Sequence, residues 1–435
     1  MTAIIHNMSD IDIEAFITEH LPIKVLEKDK YGEVFTPINL IQEMLDKLPT
    51  EIWSNPELKW LDPANGIGNF PMVIYQKLMK GLDKWQTIEK DRSQHIIQNM
   101  LYMVEINPTN VKISQNIFGT NANICCANFL TDNRLFEDKV EHFDIIIGNP
   151  PFQIEKTESN KRQGGHGGRT LWDKFIIKSL DLLVPNGFLC FITPAGWRKP
   201  ESKLFNLMTQ QNQLLYLHIY GQKQGRKFFN VSQRVDLYII QKHKQNKNTE
   251  IVDELDNKLN LNLSKWEFLP SYEFENINKI MENKENGIKV IYDTTYHTQK
   301  SHIKIIYSSS IYETRKPYVK ETKTEKYKYP IVHCINQKGL IFCYTDDNTK
   351  GHFGVPKVLL NFNQQQYPVN DYEGKYGMSQ ITFGIPITSK KQGDEIVKAI
   401  NSDNFKNIIK ATKWGAFQTD WRMFKYFKKD FYKYF

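Results

Sequence analysis

Residues 143–152, FDIIIGNPPF, hold the side chains best suited to chemistry in this chain. Ile145, Ile146 and Ile147 form a β-branched apolar run. It is too short for a helix and reads as a buried strand of a parallel sheet. Pro150 and Pro151 cannot continue a strand ladder, so the chain must leave the sheet there. Open α/β sheets place their ligands at such carboxyl ends. This one presents the Asn149 amide, the Pro150 carbonyl and the Phe152 ring. Two oxygen acceptors and an aromatic face suit a planar base that carries an exocyclic amine.

A second stretch, residues 60–70, reads WLDPANGIGNF. A short strand (58–61) ends in Asp62, and Gly66 and Gly68 let backbone approach a ligand before a helix through Leu78. The pattern is not the GxGxxG of dinucleotide folds, and no Lys-Ser/Thr pair makes a phosphate loop. A carboxylate at that strand end favours a cationic group over a phosphate. Residues 100–104 form another apolar strand, ended by Glu105, which is placed to bind a ribose diol. A third strand, 122–127, ends in Asn128 and Phe129. Four strand ends thus carry Asp62, Glu105, Asn128 and Asn149, and together they predict a ligand crevice.

Other elements must hold these ends in place. Thr36-Pro37 fits an N-cap followed by proline at the first helical position, with a helix over 38–48. Residues 9–21 suggest a short amphipathic helix capped by Ser9. Residues 153–169 are polar and Gly-rich and read as a loop; His166 within it reads as a solvated side chain. A helix (171–184) and strands at 187–193, 214–220 and 235–241 follow. A basic, aromatic link (222–234) contains Phe228 and Phe229. The polar stretch 242–263 reads as a linker. Beyond it lie short β-like runs at 288–292, 303–307, 340–344, 355–361 and 381–385. Helical patterns at 392–401, 404–410 and 421–427 close the chain.

The net charge of +8 is unevenly placed. Residues 241–435 carry 31 Lys/Arg against 22 Asp/Glu, a balance of +9, and 30 of the 55 aromatics. The Lys- and Tyr-rich run 316–328 lies there. Basic and aromatic together suggest a nucleic-acid surface. No apolar run approaches the length of a membrane span. The N-terminus lacks the basic and apolar regions of a signal peptide. The five cysteines show no metal-ligand spacing, so no metal is expected. These features point to a cytoplasmic protein.

The motifs resemble those of the gamma-arranged DNA adenine amino-methyltransferases, the group that includes the TaqI methylase. The resemblance runs by motif over roughly residues 30–242. Phe35-Thr36-Pro37 looks like motif X, and Asp62–Phe70 like the S-adenosylmethionine loop, motif I. Glu105 looks like the ribose-binding acid and Asn149–Phe152 like the catalytic Asn-Pro-Pro-aromatic motif. Phe229 looks like the aromatic that packs on the target base, with Phe228 as an alternative. Asn128 stands where the family usually has an Asp.

The resemblance implies a Rossmann-like α/β methyltransferase domain with a mixed seven-stranded sheet, plus a C-terminal α+β target recognition domain. The expected divisions are an N-terminal helical segment (1–30), the methyltransferase domain (31–242), a linker (243–263) and the recognition domain (264–435). The implied reaction moves a methyl group from S-adenosylmethionine to adenine N6 of a flipped-out base in double-stranded DNA. A restriction-modification system, with a separately encoded endonuclease, is the implied setting. Asn149, Pro150 and Phe152 would be catalytic, and Phe152 and Phe229 would stack on the base. Phe35, Thr36, Pro37, Asp62, Pro63, Ala64, Gly66, Gly68, Glu105, Ile106, Asn128, Phe129 and Asn149 would line the cofactor site. RNA adenine or protein glutamine methylation is the nearest alternative. A non-catalytic nucleic-acid-binding protein with a degenerate cofactor site is the alternative of another class.

Overall fold

The computed structural model describes residue 5 and residues 36–153, 170–292, 295–296, 308–309, 312–349, 352–362, 366–415 and 419–435. The helix expected at 9–21, the loop 154–169 with His166, Phe35 and the run 303–307 lie outside these residues. The chain divides into two compact units, residues 1–197 with 202–264, and residues 198–201 with 265–435.

The first unit is built on one sheet. Its strands are β1 (Trp60–Asp62), β2 (Leu101–Glu105), β3 (Asn123–Cys126), β4 (Phe143–Gly148), β5 (Leu183–Pro194), β6 (Gln213–Tyr220), β7 (Val235–Gln241), β8 (Thr249–Val252) and β9 (Lys258–Leu261). They lie in the order β3-β2-β1-β4-β5-β7-β6-β8-β9. Strands β1 to β5 run parallel, and β7 is antiparallel to both β5 and β6. The order reverses between β1 and β4, which opens the crevice at which such sheets bind ligands. Ile145, Ile146 and Ile147 are buried, as a strand flanked on both sides requires.

Helices α1 (Ile38–Asp46), α2 (Asn69–Gly81), α3 (Glu89–His95), α4 (Pro108–Phe118), α5 (Trp172–Leu182) and α6 (Gln222–Phe229) accompany the sheet. Helix α4 starts as its sequence demands: Asn107 caps it by accepting from the Thr109 N–H, and Pro108 fills the first position. Helix α1 departs from expectation. It begins at Ile38, Pro37 takes the cap position, and no side chain caps it.

Two expectations are corrected. Among the described residues the sheet has nine strands, not seven. The extra pair, β8 and β9, lies inside the stretch 243–263 read as a linker. That stretch looks polar because β9 is an edge strand with alternating exposed residues.

The second unit contains α7 (Phe274–Ile280) and the short pair β10 (Thr295–Tyr296) and β11 (Ser308–Ser309). A four-stranded sheet follows the order β12 (Val319–Lys320), β14 (Gly339–Thr345), β13 (Tyr329–Asn336), β17 (Gly377–Met378). A three-stranded sheet places β15 (Lys357–Asn361) between β16 (Val369–Asp371) and β18 (Thr382–Pro386). Residues 288–292 form no strand beyond the bridge from Ile291 to Gly384. Helices α8 (Lys390–Asn401) and α9 (Asp403–Ala411) start on Ser389 and Ser402, whose hydroxyls accept from Gln392 and Phe405 N–H groups. Residues 421–426 wind as a 3-10 helix. Phe405, Phe424, Phe427 and Phe431 form an aromatic core, with ring centroids 5.4–6.2 Å apart.

Candidate active site

Asp62 ends β1 and is 2% exposed. Its Oδ1 accepts from the Ala64 N–H at 3.0 Å, while Oδ2 is buried without a partner. Burial pushes this carboxyl up to about 8; the Ala64 N–H opposes that rise and the neighbouring Glu105 carboxylate adds to it. The end of β4 presses against the same group. A Cβ on Gly148 would lie 2.8 Å from Asp62 Oδ1, so only glycine fits between Asp62 and Asn149.

The loop after β1 is held from β2. Glu105 Oε2 accepts from the Gly66 N–H at 2.7 Å and Oε1 from the Asn107 N–H at 2.7 Å. The acid expected to bind a ribose diol therefore also builds the loop. Gly66 and Gly68 take positive φ, 58° and 101°, and a Cβ on Gly68 would lie 2.9 Å from the Phe118 ring. Asn65 donates its amide N–H groups to Ser114 Oγ at 2.8 Å and to the Gly66 carbonyl at 3.2 Å. The side-chain oxygens of Asn65, Asn69 and Thr36 are buried without partners. Thr36 is thus no helix cap. Asn69 was not singled out in the sequence; its place one residue after Gly68 was the available signal.

Other expected residues divide. Ile106 is 52% exposed directly after Glu105, an apolar side chain presented at the strand edge. Pro63 is buried and Ala64 half-buried in the turn. Asn128 is exposed, and its Oδ1 accepts from the Leu130 N–H at 3.0 Å, so the amide oxygen already closes a turn. Phe129 packs away against Phe175 of α5, with ring centroids 5.1 Å apart. It is a core residue rather than an open face.

The structure brings Phe152 and Phe229 together, edge to face at 6.3 Å and 65°. Phe152 and Pro150 are buried, and the Asn149 side-chain oxygen is shielded from solvent. Phe229 ends α6, where Asn230 takes φ 50° and turns the chain. Phe228 is half-buried beside it and packs on Tyr220.

Glu43 of α1 was invisible in the sequence. It accepts from Tyr216 Oη at 3.0 Å, His218 Nδ1 at 2.5 Å and Tyr220 Oη at 2.6 Å. These three alternate along one face of β6, as period two dictates. Burial alone would raise the Glu43 carboxyl; the His218, Tyr220 and Tyr216 hydrogen bonds outweigh it and hold it low. The cluster fixes α1, and with it Thr36-Pro37, to the sheet.

Among the described residues no group of His, Cys, Asp or Glu could hold a metal. None of their helices is long and apolar enough to cross a membrane.

Residues 72–229 match the model of the Eco57I restriction-modification methylase family. Those residues are therefore similar to a restriction-modification methylase domain. A relative from Mycoplasma pneumoniae (strain ATCC 29342 / M129 / Subtype 1), described as an uncharacterized adenine-specific methylase, is 26% identical, with 42% of this chain and 60% of that protein covered. The chain thus spans less than two thirds of the curated relative it matches. A solved DrdV–DNA complex is similar in fold, with a TM-score of 0.52 at 10% identity over 98% of this chain and 59% of that one. The first unit has an α/β architecture, a mostly parallel sheet accompanied by helices. Glu105, Asn149 and Phe229 lie within the matched residues; Asp62 and Gly68 precede them.

Proposed function

We propose that this protein methylates adenine N6 in double-stranded DNA as part of a restriction-modification system. The observation that carries the reading is the meeting of two strand ends: Gly148, which closes β4 directly before Asn149, is packed on Asp62 of β1. An amine-accepting amide therefore stands beside an acid suited to a cationic ligand group.

The residues present fit S-adenosylmethionine. Asp62 Oδ2 and Asn65 Oδ1 are buried acceptors without partners, and nothing stands within 4 Å of where a Cβ on Gly66 would lie. Asp62 would take the ammonium group, Glu105 the ribose, and Ile106 the adenine face. When bound, the cofactor supplies an electrophilic methyl group. The amide oxygen of Asn149 and the Pro150 carbonyl accept the two hydrogens of the target amine. That draws its lone pair out of the ring and aims it, so catalysis is orientation and fixed hydrogen bonding without a strong base.

The base must leave the duplex, which costs a few kcal/mol. Stacking on aromatic rings returns about 1–3 kcal/mol per base. The Phe152 and Phe229 rings meet edge-on in the free protein, so one must turn for a base to lie flat against Phe152. Residues 264–435 would serve as the target recognition domain, with the lysines and tyrosines of 316–328 facing phosphate. A separately encoded endonuclease would be the partner against which methylation protects.

Tritium transfer from labelled S-adenosylmethionine tests the reading. Label in duplex DNA, recovered as N6-methyladenine, is the expected result. Label only in RNA or protein would overturn the substrate. Labelling of none, with the cofactor bound, would overturn the enzyme.

A further inference from the structure

We infer that Asp62 is a neutral carboxylic acid in the free protein and that ligand binding exchanges its proton for the ligand's ammonium group. This rests on the proposed function, in which Asp62 meets that ammonium. The charge state and the proton exchange are what the structure adds.

The geometry leaves the carboxylate without support. Asp62 is 2% exposed and has one hydrogen bond, from Ala64 N–H to Oδ1. Its Oδ2 is shielded from water and meets no donor. On the β4 side it faces the backbone of Gly148, packed so closely that a Cβ there would sit 2.8 Å from Oδ1. On the β2 side the titratable group acting on it is Glu105, whose two oxygens already accept backbone N–H groups from Gly66 and Asn107. Those bonds favour the charged form of Glu105. Among the described residues no Lys, Arg or His pairs with Asp62. A buried charge without a partner is relieved by protonation. A second negative charge on the adjacent strand pushes the same way.

An arriving ammonium reverses the balance. It gives Oδ2 a charged donor and offsets Glu105, so the carboxyl is stable as an anion. The proton leaves to solvent, and protein plus ligand keep the same net charge minus the proton released. The pocket thereby exchanges one positive charge for another. A ligand without an ammonium group has nothing to trade and leaves Asp62 protonated. The upward shift of Asp62 in the free protein agrees with this picture.

Calorimetry of S-adenosylhomocysteine binding near pH 7, in buffers of different ionisation enthalpy, reads the proton directly. About one proton released per ligand is expected. Its affinity should rise about tenfold per pH unit between pH 6 and 7.5. 5′-Methylthioadenosine, which keeps the nucleoside but lacks the amino acid, should bind with no release. Asp62→Asn should abolish the release. Should that variant bind too weakly, infrared difference spectra of the unaltered protein give the same reading. A carboxylic-acid C=O band should vanish on S-adenosylhomocysteine binding and a carboxylate band appear. Binding of S-adenosylhomocysteine with no proton released and no change in the acid band overturns the inference while leaving the methyltransferase reading intact. No binding of S-adenosylhomocysteine at all overturns both.

Discussion

Two buried aspartates, one in each unit, have opposite surroundings. Asp371 ends β16 and is 3% exposed. Its Oδ2 accepts from Lys357 Nζ at 2.8 Å and the Tyr376 N–H at 3.0 Å, and its Oδ1 from the Lys375 N–H at 2.8 Å. Lys357 in turn donates to the His352 and Val355 carbonyls. Asp62 is equally buried, yet has one backbone donor and an orphaned oxygen. A satisfied buried acid holds a fold together, whereas an unsatisfied one calls for a partner, which the proposed ligand would supply.

The comparison breaks most easily at Asp371. Asp371→Ala strands the Lys357 ammonium in the core and should cost about 3–5 kcal/mol, read from urea unfolding. A cost no larger than that of a surface substitution would end its claim as a staple. Asn149→Ala, one residue beyond Gly148, should do the reverse. Methyl transfer should fall about 100–1000-fold with S-adenosylhomocysteine affinity kept, since one fixed transition-state hydrogen bond is lost.

Asp62 then sharpens the contrast through pH. Its folded-state value, about 8, lies above its unfolded one, so its stabilising contribution is lost as pH rises from about 4 toward 8. In the ligand-free protein Asp62→Asn should flatten that fall in Tm, as scanning calorimetry at stepped pH would show. The smallest effect belongs to the ring. Phe152→Leu keeps apolar volume but loses the stacking face, and should weaken binding to DNA with an abasic partner opposite the target by about 1 kcal/mol. An equal loss of S-adenosylhomocysteine affinity would place the ring elsewhere in the site.

The strand ends were legible because their signals are local. An isoleucine run stopped by two prolines, and an acid followed by two glycines, need no tertiary knowledge. What was lost was long-range. The hydrogen bonds from β6 to Glu43 span more than 170 residues, and no periodicity connects them. The approach of Gly148 to Asp62 likewise appears only once β4 lies beside β1. The β8–β9 pair was hidden by its own solvent face. The turn that Asn128 closes with the Leu130 N–H was also not read from the sequence.

Arg198 carries a consequence for anyone wishing to trade parts between such proteins. It belongs to a four-residue excursion, 198–201, that the chain makes into the second unit before returning to the first. There its fully buried guanidinium donates to the carbonyls of Leu269 and Pro270. A transplant of residues 265–435 alone would leave those carbonyls facing a hole the size of an arginine. Any graft of the second unit has to bring the short upstream piece along, or rebuild its plug in the new host.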